Sequence, residues 1–404
     1  MGRSYDNISQ DHVMNILFIS LTDPRDILYG GQQRTYALWQ GLKTIGNVWT
    51  IVPVSHKSQE SRDDIDRIYH VYLEKRYSLG WFLQRLWVKF LPRIVVSWGA
   101  KLPGEKGYCK IEVLKNVKFD MTVARSTGLA GRFKPWRIAP MFIDVDDVPV
   151  DDYASAHPSH RLRLWLLRLW QNRICQKARQ LWVPDPEEIR MLAPCPAAYL
   201  PNIPMVDNIR QPESGIAAPP RNVLLFVGYL AHAPNQVALD WFLKMHWNAL
   251  KERFPTLRYR IAGGGLPDRL KCEWSCYKDV ELLGFVENLN EVYASGCAIL
   301  TPMRIGSGTC LKILESLAYG KLIISTPLGL RGIPREDRVP KNGIYEFVDM
   351  DSLSSVISQI MQESELPVST NGAEYIKRHY SQDVFNQILN DCLRGECVSY
   401  VEAK

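Results

Sequence analysis

The sequence predicts an α/β protein of two doubly wound parallel-sheet domains facing a cleft. Three observations carry this. Short apolar runs alternate with amphipathic stretches, and the alternation occurs twice. A proline-rich break separates the two series. Late in the second series, a glycine loop runs into a helix at the point where an open parallel sheet usually holds its ligand.

In the first half, strand-sized apolar runs are expected at Ile16 to Ser20, Val48 to Val54, Met121 to Ala124, Met141 to Asp144 and Leu181 to Val183. Helical periodicity falls at Gln32 to Thr44 and Leu162 to Arg179. The segment Pro201 to Pro220 holds five prolines among small and polar residues and reads as a linker. The second half restarts with strands at Val223 to Val227, Arg258 to Ala262, Val280 to Leu283, Ala298 to Thr301 and Leu322 to Ser325. Helices are expected at Asn235 to Arg253, Glu287 to Ala294 and Thr309 to Tyr319. The domains are therefore drawn as 1–205, a linker 206–222, 223–372, and a terminal helical segment 373–404.

The most informative segment runs from Arg304 to Gly320 and on to Gly329. Gly306 and Gly308 let backbone approach a phosphate closely. The amides of the first helical turn would point at it with the favourable end of the dipole. One turn further in, Glu315 can receive ribose hydroxyls, and Lys312 lies three residues before it on the same face. A strand-to-helix turn capped by Thr309 would also use such glycines, so the loop alone leaves both readings open.

Composition narrows the class. A chain with 46% hydrophobic residues and no low-complexity run is globular. The nine cysteines lack paired spacing, so neither a zinc site nor a disulfide framework is expected, and a reduced cytoplasmic compartment fits. No signal peptide or spanning helix is expected. Residues 1–200 hold 28 Lys+Arg against 20 Asp+Glu, which suggests an anionic partner. Two segments mix cations with tryptophan, Trp81 to Trp98 and Arg161 to Trp182. These suit an anionic membrane surface at the inner face of the plasma membrane, or else an amphipathic helix with its rings in the core. No nucleic-acid motif accompanies the charge.

The second half, with Val227-Gly228, Pro234-Asn235, Ile261 to Gly265, Leu283-Gly284-Phe285-Val286 and Gly306 to Gly329, resembles the donor-binding domain of glycosyltransferase family 4, retaining enzymes of GT-B fold. Gly30-Gly31 matches the glycine loop of that family's first domain. The resemblance implies that Glu315 holds the nucleotide ribose, that Gly284, Phe285 and Val286 line the base, and that Gly306, Ser307, Gly308 and Thr309 face the diphosphate and sugar. Gly30, Gly31, Gly228 and His232 complete the expected donor set, His232 having loop packing as its other reading. The donor would be a UDP- or GDP-sugar and the acceptor a glycan or lipid-linked molecule of bacterial surface polysaccharide synthesis, with no metal or cofactor.

The chain departs from the family pattern in places. Ser307 stands where a second glutamate is usual, and the strand-end arginine and following lysine are missing after Val227. Lys312 and Arg304 are the expected replacements on the diphosphate. Asp146 and Asp147, in Asp144-Val-Asp-Asp, are the expected acceptor-side carboxylates, with a helix cap as the alternative. The family's usual histidine of the first domain has no placed counterpart here; the local sequence is Arg125-Ser-Thr-Gly128, where Arg125 is the candidate to act on phosphate or acceptor instead. A sugar-nucleotide epimerase and an inactive nucleotide-sugar binder share this architecture and remain rivals. A dinucleotide dehydrogenase does not fit, because the loop lacks the third glycine and lies far from the first strand.

Overall fold

The computed structural model describes residues 13–27, 30–72, 114, 116–145, 161–205, 219–306, 308–362 and 370–396. The chain divides into two compact units, Met1–Leu200 with Asn386–Lys404, and Pro201–Phe385.

The first unit contains β1 (Met14–Ile19), α1 (Gly30–Ile45), β2 (Gly46–Val54), β3 (Ser61–Asp63), β4 (Ile68–Tyr72), β5 (Met121–Arg125), α2 (Thr127–Phe133), β6 (Met141–Asp144), α3 (Arg161–Cys175), β7 (Gln180–Val183) and β8 (Ala197–Tyr199). The sheet order is β3-β4-β2-β1-β5-β6-β7-β8, parallel except for the β3–β4 pair. Ile16, Leu17, Phe18 and Ile19 of β1 are wholly buried, as a strand covered on both faces requires. The strand order reverses beside β1, so the loop after β1 and the end of β5 mark this sheet's switch point.

The second unit contains β9 (Val223–Val227), α4 (Ala233–Phe242), a π-type turn at Leu243–Trp247, α5 (Asn248–Arg253), β10 (Arg258–Ala262), α6 (Asp268–Trp274), β11 (Val280–Gly284), α7 (Leu289–Ala294), β12 (Ala298–Thr301), α8 (Leu311–Ala318), β13 (Leu322–Ser325), β14 (Ile344–Glu346), α9 (Met350–Gln362), α10 (Thr370–His379) and the start of α11 (Gln382–Arg394). All pairs in its sheet are parallel, in the order β11-β10-β9-β12-β13-β14. Here the order reverses between β9 and β12.

Its core sets Phe226, Phe242, Trp247 and Tyr259 together, with the Trp247 and Tyr259 rings 5.8 Å apart. The polar ends of these rings are satisfied. Tyr259 Oη donates to the Leu300 carbonyl at 3.0 Å and Trp247 Nε1 to the Lys278 carbonyl at 2.8 Å.

Five strands, Met141–Asp144, Val223–Val227, Arg258–Ala262, Ala298–Thr301 and Leu322–Ser325, fall at their expected bounds. The expected helix Asn235 to Arg253 is interrupted by the π-type turn, and the terminal helix divides at Tyr380-Ser381. Cys392 is disulfide-bonded, a bridge that the unpaired spacing of the cysteines did not predict.

The basic tryptophan segments sort by residue. Trp81 to Trp98 lies outside the described residues. In the other segment, Trp182 is wholly buried and stacks on Phe142 at 5.3 Å, and Trp170 packs where a side chain on Gly131 would stand. Only Trp165, on α3, is open, 55% exposed, with Leu169 exposed one turn further along.

Candidate active site

In the second unit the loops after β9 and β12 flank the point of strand reversal. The β12 loop is anchored from below, since Ser325 Oγ donates to the Thr301 carbonyl at 2.9 Å and Thr326 Oγ1 to the Met303 carbonyl at 2.7 Å. Beyond Met303 the chain turns through Gly306, φ +145°, and Gly308, φ +64°. These are backbone conformations that favour glycine. Helix α8 starts at Leu311 with Cys310 at its N-cap, two residues later than expected, so Thr309 is loop rather than cap. Ser307 lies outside the described residues.

Lys312, in the first turn of α8, reaches back under β9. Its Nζ donates to Asn235 Oδ1 at 2.5 Å, lies 5.0 Å from the Phe226 ring centroid and 4.0 Å from Met303 Sδ. Asn235 is buried and fixed at its other end, where Nδ2 donates to the Tyr229 carbonyl at 2.7 Å. Gly228 leaves room for this arrangement, since a Cβ there would stand 3.1 Å from Lys312 Cε and 3.3 Å from Asn235 Nδ2 and would press on both. Among the described residues Lys312 forms no ion pair, so a neutral amide orients a full positive charge at the switch point.

Glu315, expected on the same face, goes elsewhere. It lies partly buried beside Tyr293 and Tyr319, whose rings stack at 4.1 Å. Burial pushes its carboxyl up to about 7, and Glu315 in turn adds to the raised Tyr319 phenol. No cation pairs with Glu315 among the described residues. It is a carboxyl poised to change charge near neutrality when hydroxyl donors arrive.

The other expected donor residues surround the carboxyl ends of the same strands. Gly284 has φ +70° and ends β11, Phe285 is 77% exposed, and Val286 follows it. Phe285 Cβ lies 3.4 Å from where a Gly264 Cβ would stand, and Tyr229 Cε2 3.1 Å from that of Gly265. Two exposed rings therefore flank a strip of bare backbone. His232 stands exposed at the N-cap of α4 and makes no side-chain cap. Arg304 is exposed with its guanidinium 4.6 Å from the Trp241 ring centroid, a cation–π contact that holds it on α4.

In the first unit Gly30 and Gly31 form the first turn of α1 rather than a preceding loop. Behind them Asp144, wholly buried, is gripped by Arg34 Nε at 2.9 Å and Arg125 Nη1 at 2.8 Å. Burial alone would raise its carboxyl, but the two guanidiniums overbalance that and hold it below the usual range. Arg125 also donates to Thr35 Oγ1 at 3.2 Å and the Gly31 carbonyl at 3.2 Å. Arg125 and Asp144 thus brace α1. Asp146 and Asp147 lie outside the described residues.

Sequence reasoning used Asn235 only as part of the Pro234-Asn235 motif, without a role at the site, and missed the Tyr293–Tyr319 stack, because tyrosines in separate elements carry no spacing signal. Among the described residues no group of three or more His, Cys, Asp or Glu could hold a metal, and no helix is long and apolar enough to cross a membrane.

Residues 221–363 match the family model for Glycosyl transferases group 1. An uncharacterized 44.6 kDa protein in the cps region of Klebsiella pneumoniae is 32% identical over 182 residues, covering 42% of this chain. The chain spans 45% of that relative's length. Sucrose-phosphate synthase from Thermosynechococcus elongatus superposes with TM-score 0.67 at 14% identity, over 95% of this chain and 98% of that one. Anabaena Alr3699/HepE in complex with UDP gives TM-score 0.63 at 13% identity, over 95% and 100%. The fold is GT-B, two parallel-sheet α/β domains, and its second unit carries the glycosyl transferases group 1 match.

Proposed function

We propose that the protein is a retaining glycosyltransferase of the family 4 kind, moving a sugar from a UDP- or GDP-sugar to a glycan or lipid-linked acceptor. The observation that carries this is Lys312, an uncompensated ammonium fixed by Asn235 at the strand reversal, beside the Gly306 loop and within the family match. As the bond from the anomeric carbon to the diphosphate oxygen breaks, negative charge grows on the leaving group and positive charge on the sugar. Lys312 stabilises the former without competition from a carboxylate. The acceptor oxygen bonds to the same carbon, and its proton passes to the departing phosphate. Glu315 binds the ribose hydroxyls, and Phe285 and Tyr229 offer faces to base or sugar.

HepE was solved with UDP and the Klebsiella relative lies in a cps region, which supports a nucleotide-sugar donor and a surface-polysaccharide acceptor. The acid-free stretch Arg161 to Trp182, with six cations and an exposed Trp165, supports a place at an anionic membrane face. The test is a thermal-shift panel of UDP-, GDP-, CDP- and ADP-sugars with NAD as control. A ligand at a hundredfold excess over its Kd stabilises by ~2.7 kcal/mol. Stabilisation by NAD with none by any nucleotide sugar would refute the reading.

A further inference from the structure

Lys312 brings one ammonium to the Gly306 loop, and Arg304 is held on Trp241. The segment after β13 supplies a different arginine. Arg331 Nη2 lies 3.6 Å from the point where a Cβ on Gly306 would stand. Its Nε is buried and has no hydrogen-bond partner, and Arg331 forms no ion pair among the described residues. A desolvated guanidinium donor left unmet is unfavourable, and native structures rarely keep one without a reason.

Packing fixes this placement. Gly332, φ +82°, has no room for a side chain, because a Cβ there would meet Thr309 Oγ1 at 2.1 Å. The Gly332 carbonyl accepts from Tyr380 Oη at 3.3 Å. The backbone carrying Arg331 is therefore pressed against the glycine loop at Thr309 and tied on its other side to the residue that follows α10.

We propose that Arg331 is a second cation of the site and grips the distal phosphate of the nucleoside diphosphate through its planar fork. The inference rests on the donor reading above and adds to it a residue and a phosphate. Lys312 is a point charge oriented by an amide, whereas the Arg331 fork can engage two phosphate oxygens at once.

Isothermal calorimetry with UDP and UMP, and with GDP and GMP, tests this on the full chain with Arg331→Met and Arg331→Lys. Loss of a charge-assisted contact predicts that Arg331→Met weakens the diphosphate on the order of 10- to 100-fold, with the monophosphate changed less than about threefold. Arg331→Lys should recover only part of the loss. Because its Nε is unmet in the fold, Arg331→Met should unfold at the parent's temperature or above. Equal loss of diphosphate and monophosphate, or unchanged affinity for both, would overturn the assignment, as would full recovery by Arg331→Lys. If the parent chain binds neither UDP nor GDP, it is the donor reading that fails, and the assignment falls with it.

Discussion

Replacing Glu315 by glutamine isolates a single proton. In the fold this carboxyl rises from 4.5 to about 7, with burial as the cause, and each unit is worth about 1.4 kcal/mol, so the whole shift is worth about 3 kcal/mol. The sign follows from the raised value. The folded chain holds the proton more tightly than the unfolded chain, so this contribution is fully present below pH 4.5. It is lost as pH rises from 4.5 through 7, and is constant above that. Glu315→Gln should therefore match the parent at pH 4.5 in denaturant unfolding and exceed it by up to about 3 kcal/mol at pH 8. Ribose hydroxyls donate to the charged form, so nucleotide binding must release the proton. The parent's affinity for its nucleoside diphosphate should improve up to about tenfold per pH unit below 7 and level off above, while that of Glu315→Gln stays flat and weaker at pH 8. Calorimetry in buffers of differing ionisation enthalpy reads the released proton directly. Parallel stability curves for the two chains, together with pH-independent binding in the parent, would refute the reasoning.

Lys312→Ala should lower turnover ~100- to 1000-fold while leaving the unfolding midpoint nearly unchanged, since the side chain serves a developing charge rather than a core. Comparable turnover in steady-state assays would move that role to another cation. Asp144→Asn should destabilise by about 3–5 kcal/mol, because it removes the wholly buried negative charge that Arg34 and Arg125 both pair with. Since the carboxyl is held below its usual range, that stability is present above pH 3.8 and is lost as pH falls, which acid titration of the circular dichroism signal checks. Co-sedimentation with vesicles containing phosphatidylglycerol should fall with salt and on Trp165→Ala, at about 1 kcal/mol per surface cation. No sedimentation at low salt would remove the membrane role.

The strands were legible because each is an apolar run of strand length bounded by turn residues, as at Val223–Val227 and Leu322–Ser325. The strands β3, β4, β8 and β14 were not, since Ser61–Asp63 is polar, Ile68–Tyr72 carries His70 within its run, and Ala197–Tyr199 and Ile344–Glu346 are three residues long. Glycines in the Gly306 loop announced the site because the turn needs their φ. What the spacing could not show was direction. Lys312 and Glu315 share a helix face in projection, yet one side chain reaches under Gly228 toward Asn235 and the other lies against Tyr293 and Tyr319. Partners from distant segments decide that, and periodicity does not contain them. Likewise the sequence shows Asp144 only as the end of a strand opening an aspartate cluster, and only the pairing of β5 with β6 brings Arg125 beside it.

Following the chain with UDP- and GDP-sugars by proton NMR tests the central claim most directly, since the spectrum reports both cleavage of the donor and the anomeric configuration of the product. The account predicts release of the nucleoside diphosphate, a sugar product that keeps the donor's configuration, and loss of that signal in Lys312→Ala. A donor that binds but is never cleaved would contradict it in favour of an inactive binder. Epimerised sugar released without an acceptor, or a product of inverted configuration, would contradict it in favour of a different reaction on the same fold.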